Sequence, residues 1–480
     1  MQKVLVLEIN EVNFDLLEKY AAEGKLPNFK KFFDQYGYTK THSESDQGVL
    51  NPWVQWITGH TGLNYEQHQV RRLGDMQGKS HEQIWERIER MGKSVGVFIA
   101  FNAKNNLKNP TFFLGDPWSR EKRILPKTAE WADDALKQIT DDYANGRIAP
   151  SSILKLIGSS IANLRAKNYL RLASYTKGYL SRKFYRALAC DLLLSDIFLK
   201  MYKKSRPDFA TCFINGAAHV QHHYMFSSKY YDGEIKNPEW FYKPGIDPLE
   251  EVYKLYDYTL GEIQKEVGSD TRLMLMTALS QEAHDRLSIY YRLKDHTQHL
   301  DELGVPYTDI QPLMTEDFIV RFKNINEAKR GQKIFESVRT KLDKNIFYTT
   351  TADDNSREND TNDRAYYVDN RNDGSLYIQL KPSSDKYPDN FSLYVGDEQQ
   401  EITGFENQVD FVSIKNAGHN EAGYFADSGY SKGELPSDIY LNQIPGHIAA
   451  IFGEKNASEL KDADIHHTEE EAEAPAPVAA

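Results

Sequence analysis

Cysteine is nearly missing from this 480-residue chain, which has only Cys190 and Cys212. Two cysteines cannot build a disulfide framework, and these two carry no metal-ligand spacing. They read as partly buried thiols in a reducing compartment, so the expected location is cytoplasmic. No stretch approaches the roughly 20 apolar residues that a membrane span requires. The opening MQKVLVLEIN has no small-residue cleavage site after its apolar run, and reads as a buried strand rather than a signal peptide. There is no P-loop, dinucleotide glycine motif or nucleic-acid signature. The net charge of −12 also argues against nucleic acid as a partner.

Apolar material is plentiful: 40% of residues are hydrophobic and 12% aromatic, enough for a substantial core. Charge is distributed unevenly. Ser151–Arg206 holds twelve Lys/Arg against two Asp, a local balance of +10, which leaves −22 on the rest of the chain. Such an asymmetry marks either a solvated helix face offsetting an acidic body or a surface for an anionic partner, a membrane surface included.

Val4–Ile9 has strand length, and a helical pattern follows from Phe14 to Tyr36, broken at Gly24 and Pro27. Asn51-Pro52 has the form of an N-cap with proline at the first helical position, opening a helix that runs to Gly59 or Gly62. Gln83–Met91 reads as a helix and Ser94–Phe101 as the next strand. Thr128–Tyr202 is helical almost throughout, and Asp208–Asn215 resumes the sheet. Pro248–Val267 and Arg272–Ala278 add a helix and a strand. Ile346–Glu401 is dense in Asp, Asn, Ser and Tyr, with short alternating runs that predict antiparallel hairpins. Val409–Ile414 and a helix over Ile439–Phe452 return to the alternating pattern, and HHTEEEAEAPAPVAA reads as a disordered acidic tail. The expected fold is α/β, a mostly parallel sheet flanked by helices, with a helical insert and an antiparallel hairpin excursion. The expected core comprises residues 1–125, 205–345 and 402–455. A basic helical insert or cap would span 126–204, hairpins 346–401 and the tail 456–480.

Five segments carry a family resemblance: VLVLEINEVNFDLLEKYAAEGKLPNF, WITGHTGLNYEQHQV, IWERIERMGKSVGVF, FATCFINGAAHVQHH and AGHNEAGYFADSG…IYLNQIPGHIAAIFG. In order and spacing they resemble the type I phosphodiesterase/nucleotide pyrophosphatase branch of the alkaline phosphatase superfamily. The resemblance covers roughly residues 1–110, 205–285 and 405–453. It implies two metal ions, commonly zinc, held by three Asp and three His, with a Thr or Ser nucleophile.

Carried over residue by residue, the motifs have degenerated. The first-strand Asp falls on Asn10, between Glu8 and Glu11. The nucleophile falls at or beside Asn51-Pro52, where no hydroxyl stands, and an Asp-His pair falls near Ala278-Leu279. Those positions make up one metal site, and it reads as erased. For the other site the resemblance gives Asn215, His219 and His419 as metal ligands, with Asn10 and Glu8 in support. His222, His223 and Glu11 are the candidate acid–base groups. Asn51 and Trp53 are candidate substrate contacts, although an N-cap accounts completely for the first and a tryptophan such as the second more often makes core. Thr58 as a displaced nucleophile and His284-Asp285 as a shifted ligand pair are weaker alternatives. The implied cofactor is a divalent metal, zinc before others, as one ion or none. The implied activity is a phosphodiesterase-like hydrolase or transferase acting on a small anionic or sugar-linked phospho- or sulfo-ester. The alternative is an inactive relative that serves as a binding or scaffolding module.

Overall fold

A computed structural model describes residues 2–45, 49–118, 121–141, 148–313, 315–340, 364–383, 386–396, 400–455 and 460–463. Lys3–Ile9 is buried along nearly its whole length, as a strand this apolar must be when helices cover both faces of its sheet, and it takes Glu8 inside with it. It lies inside an eight-stranded sheet. Across that sheet the strands run Asp438–Tyr440, Thr39–His42, Ala422–Asp427, Thr271–Met276, Lys3–Ile9, Phe209–Ile214, Val95–Ala100 and Phe112–Gly115. All are parallel except Ala422–Asp427, which is antiparallel to both neighbours. This is the expected α/β architecture. The first strand has later strands on either side, so the carboxyl ends of Lys3–Ile9 and Phe209–Ile214 lie at the topological position where open α/β sheets place ligands.

The helical pattern after the first strand resolves into Phe14–Ala22 and Pro27–Tyr36, with Gly24 left-handed at the break (φ 77°). Pro52–Thr61 is capped by the Asn51 side chain, which accepts from the Val54 N–H, and it ends at left-handed Gly62. The basic segment forms the helices Pro150–Asn163, Tyr169–Tyr179 and Tyr185–Ser205, preceded by Lys127–Asp141. The helix expected from Ile439 starts instead at Ile444, because Asp438–Tyr440 pairs with Thr39–His42 as an edge strand. Pro445, one residue into the helix, suits that late start.

A second core draws on residues between Ile289 and Ile414, a wider span than the hairpin-like 346–401. It contains a four-stranded antiparallel sheet ordered Tyr366–Asn370, Ser375–Leu380, Asp317–Arg321, Asp309–Pro312, and a three-stranded sheet. Residues 346–363, 384–385 and 397–399 of the expected hairpin segment lie outside the described residues, as do 456–459 and 464–480 of the expected tail. A long antiparallel ribbon, Ser280–Leu293 against Val409–Asn420, joins this body to the main sheet. Val409–Ile414 is therefore one arm of the ribbon and not a return to the parallel sheet. No helix among the described residues is long and apolar enough to cross a membrane.

The loop after Pro52–Thr61 is pinned by His68, a fully buried side chain. Its Nδ1 accepts from the Val70 N–H (3.0 Å), and its Nε2 lies 3.3 Å from the Thr58 hydroxyl. Burial pulls this imidazole down to about 4, with the charges of His81 and Lys79 adding to the effect. A proton on Nδ1 would oppose the Val70 N–H. The folded value lies below the unfolded value of about 6.5, so the contribution is full above that pH and is lost as pH falls through about 4. The unfolding midpoint should therefore drop between pH 6.5 and 4. His68→Leu should make that drop shallower, leaving the share of the other buried imidazoles such as His219 and His223, as measured by thermal denaturation at several pH values.

Candidate metal centre

Three ligand-type side chains meet at the carboxyl end of the first strand. Nε2 of His222 lies 3.1 Å from Glu11 Oε2, and Nε2 of His419 lies 3.2 Å from the same oxygen. One ligand atom from each of the three residues falls within 4.8 Å of the other two. The Glu11 and His419 side chains are only 3% and 8% exposed, whereas His222 keeps 19%, so the group opens to solvent on the His222 side.

Each member is oriented by a neighbour. His222 donates from Nδ1 to the Ala417 carbonyl (3.0 Å), and His419 from Nδ1 to the Leu50 carbonyl (3.2 Å). An imidazole whose Nδ1–H is held by a carbonyl presents the Nε2 lone pair, the tautomer that a metal ligand needs. Glu11 accepts at Oε1 from Asn10 Nδ2 (2.7 Å) and at Oε2 from Gln281 Nε2. Its main-chain carbonyl accepts from Gln221 Nε2 (2.7 Å), and the Tyr253 hydroxyl holds Gln221 from behind. Glu11 is held at φ 58°, a left-handed conformation that costs a non-glycine residue about 1–2 kcal/mol. Burial alone would raise its carboxyl, but with protons on the His419 and His222 Nε2 atoms the charges and hydrogen bonds of the two rings overcome that and hold it well below the carboxylate range.

The expected ligands are distributed differently. Asn10 bridges the site through its two amide hydrogens, one to Glu11 and one to Asn215 Oδ1 (2.8 Å), while its own Oδ1 accepts from Trp56 Nε1 (2.7 Å). Asn215 is the N-cap residue of the helix Gly216–Tyr224, which carries the three histidines. His219 is not in the trio. Its ring packs edge-on against His223 at 4.6 Å, and burial lowers it well below the ordinary histidine value. His223 donates from Nδ1 to the Ile414 carbonyl (2.7 Å), and burial lowers it to about 3, so at neutral pH it offers a lone pair and no proton. Glu8 lies deeper in the core, where His60 Nε2 (3.1 Å) and the Thr211 hydroxyl (2.5 Å) meet its carboxylate.

Asn51 caps its helix, and Trp53 is half-buried against the main core, its carbonyl accepting from Asn102. The helix begins two residues after Leu50, whose carbonyl orients His419, so its N-terminal end adjoins the trio. Thr58 faces His68 and Glu44. Ala278 and Leu279 are fully buried. His284 packs beneath Gly418, where an added Cβ would come within 2.6 Å of its ring, and Asp285 is exposed. Sequence reasoning missed Gln281 and Gln221. No sequence signal marks either one, and Gln281 emerges only from its pairing across the ribbon with His419.

No family model and no curated protein matches the chain. Solved structures do align along its length. A phosphonoacetate hydrolase from Sinorhizobium meliloti 1021, in complex with phosphonoformate, is 12% identical, with 94% of this chain and 96% of that one covered at a TM-score of 0.43. Human ectonucleotide pyrophosphatase/phosphodiesterase 5 is 11% identical, with 96% and 97% covered at 0.42. The murine form is 11% identical, with 96% and 98% covered at 0.40. The functional reading that follows therefore stands on the side chains of this chain.

Asn51→Ala removes the N-cap and should cost about 1 kcal/mol of stability, read as a lowered denaturation midpoint. The His419 ring should keep its place, because the Leu50 carbonyl, and not the Asn51 side chain, orients it, so any metal affinity of the parent should be retained.

Proposed function

We propose that this protein is a hydrolase or transferase of a small anionic phospho- or sulfo-ester. In this reading Glu11, His222 and His419 hold a single divalent ion. The observation that carries it is that two oriented imidazole Nε2 atoms converge on one buried carboxylate oxygen. Two neutral imidazoles with lone pairs aimed at an anion repel it unless a cation or protons lie between. Two nitrogens and one carboxylate oxygen fit zinc or a similar borderline ion, and three protein ligands leave a coordination position for substrate or solvent. When bound, the ion would neutralise charge on the ester oxygens.

The chain's own residues do the rest. Asn10 and Gln281 fix the carboxylate, the Ala417 and Leu50 carbonyls fix the imidazoles, and the N-terminal end of Pro52–Thr61 favours an anion nearby. No side-chain hydroxyl stands at Asn51 or Pro52, so in this reading the attacking oxygen comes from solvent.

A second reading, a non-catalytic binding module, is favoured by the buried Ala278-Leu279 pair at the position where the resemblance expects further ligands. The two readings separate experimentally. Protein dialysed against zinc should retain about one ion per chain. Glu11→Gln and His419→Ala should abolish retention, and Gln281→Leu should weaken it about 10–100-fold. Zinc-dependent cleavage of an aryl phosphodiester or sulfate ester, lost in the same variants, supports the enzyme. Retention without turnover supports the binding module. A parent protein that holds no divalent ion refutes the metal centre.

A further inference from the structure

The helix Pro150–Asn163 is built inside out. It buries Ser152, Ser159 and Asn163 and turns Ile153, Leu154, Ile157 and Ile161 outward. Leu154 is 70% exposed and Ile161 68%, in a chain whose other large apolar side chains are mostly buried. The next helix continues the surface. The Tyr169 hydroxyl donates to the Ile161 carbonyl (3.1 Å), which joins the two helices where their exposed faces begin. From there Leu170, Ala173 and Lys177 recur at one-face spacing, and Leu180 closes the row; all four are exposed. Leu170 and Leu180 are 85% and 84% exposed.

Charge is segregated around these side chains. From Ile148 to Cys190 there are eight Lys/Arg and no Asp or Glu. Lys155 follows Leu154, Lys167 and Arg171 flank Leu170, and Lys177, Arg182 and Lys183 flank Leu180. Arg165 and Lys167 pair with Glu262, and Lys155 with Asp134, which ties the helices to the body. Lys177 and Lys183 remain exposed beside the leucines.

We propose that Pro150–Asn163 and Tyr169–Tyr179 dock in the plane of an anionic phospholipid surface. Exposed leucines and isoleucines interleaved with cations, and an aromatic at the junction, match an apolar layer beneath anionic headgroups. A second copy of this chain suits the face less well, since it would set cations against cations. The acidic C-terminal stretch 468–480 offers charge, but only Val478 as a large apolar side chain. The proposal does not depend on the metal centre.

The test is co-sedimentation of the full chain with vesicles of phosphatidylcholine alone, and of phosphatidylcholine mixed with phosphatidylglycerol. The parent should bind the anionic vesicles, and added salt should weaken binding. L154E/L170E/L180E should weaken it by at least about tenfold, and K177E/K183E should weaken it on anionic vesicles specifically. All five positions are exposed, so unfolding midpoints should stay at the parent value and show that the variants fold. Absence of vesicle binding, equal binding to neutral vesicles, or binding that the leucine variant leaves intact overturns the proposal. So does a parent dimer in sedimentation equilibrium that the leucine variant dissociates, which would assign the face to a second copy.

Discussion

The Glu11 carboxylate is the charge around which the site is assembled. An isolated carboxylate taken out of water costs several kcal/mol unless its lone pairs are met and a positive charge stands near. Here the partners come from four stretches of chain: Asn10 at the end of the first strand, Gln221 and His222 on the histidine helix, Gln281 on one ribbon arm and His419 on the other. None is local in sequence except Asn10. The left-handed backbone at Glu11 persists because Gln221 holds its carbonyl while Gln281 holds its side chain. The strained backbone is thus over-determined from both sides of the residue.

Asn10 explains why the negative charge sits at residue 11. Its amide gives one hydrogen to Glu11 and the other to Asn215, and its oxygen takes the Trp56 indole N–H. A carboxylate at position 10 would accept from Trp56 but give nothing to Glu11, and it would place two anions side by side. With the amide at 10, the carboxylate at 11 turns toward the ribbon, where His419 and the outer imidazole His222 can reach it, while His219 packs on His223 instead. Glu8, on the same strand face as Asn10, meets His60, one helical turn beyond Trp56. Two buried polar contacts thus register the helix Pro52–Thr61 against the first strand.

Much of the fold was legible in the sequence because its signals are local. Val4–Ile9 is apolar apart from Glu8, Asp208–Asn215 is a mostly apolar run of strand length, and Asn51-Pro52 announces a capped helix that the structure places at Pro52–Thr61. The site was legible only in part. Glu11, His222 and His419 all stood out as chemistry-bearing residues, but resemblance placed His219 among the ligands. His219 and His222 differ by three residues, about 60° on a helix, and the docking of that helix on the ribbon decides which ring meets the anion. Glutamines carry no signature of their own, so Gln281 and Gln221 were invisible until the register appeared. The helix Pro150–Asn163 was ambiguous for the opposite reason: its apolar period predicts a buried face, while its serines and Asn163 pack inward.

That register ties the site to the smaller body. His419 is paired across the ribbon with Gln281, so one antiparallel register sets an imidazole and an amide on the same carboxylate. A one-residue slip would turn either side chain to the opposite face. Farther along, Ile289 pairs with Ile414, and both are buried in the second core. Displacing that pair would shift Ala417 and Ile414, the carbonyls that orient His222 and His223. The ribbon has two irregularities, between Phe411 and Ser413 and between Lys415 and Ala417, and the second falls between the core pair and the site pair. A bulge there changes which face the strand presents, so Ile414 can enter the core while His419 faces Glu11. The smaller body thus bears on the candidate metal centre without placing a side chain from its own sheets in it, because it anchors the strand that carries His419.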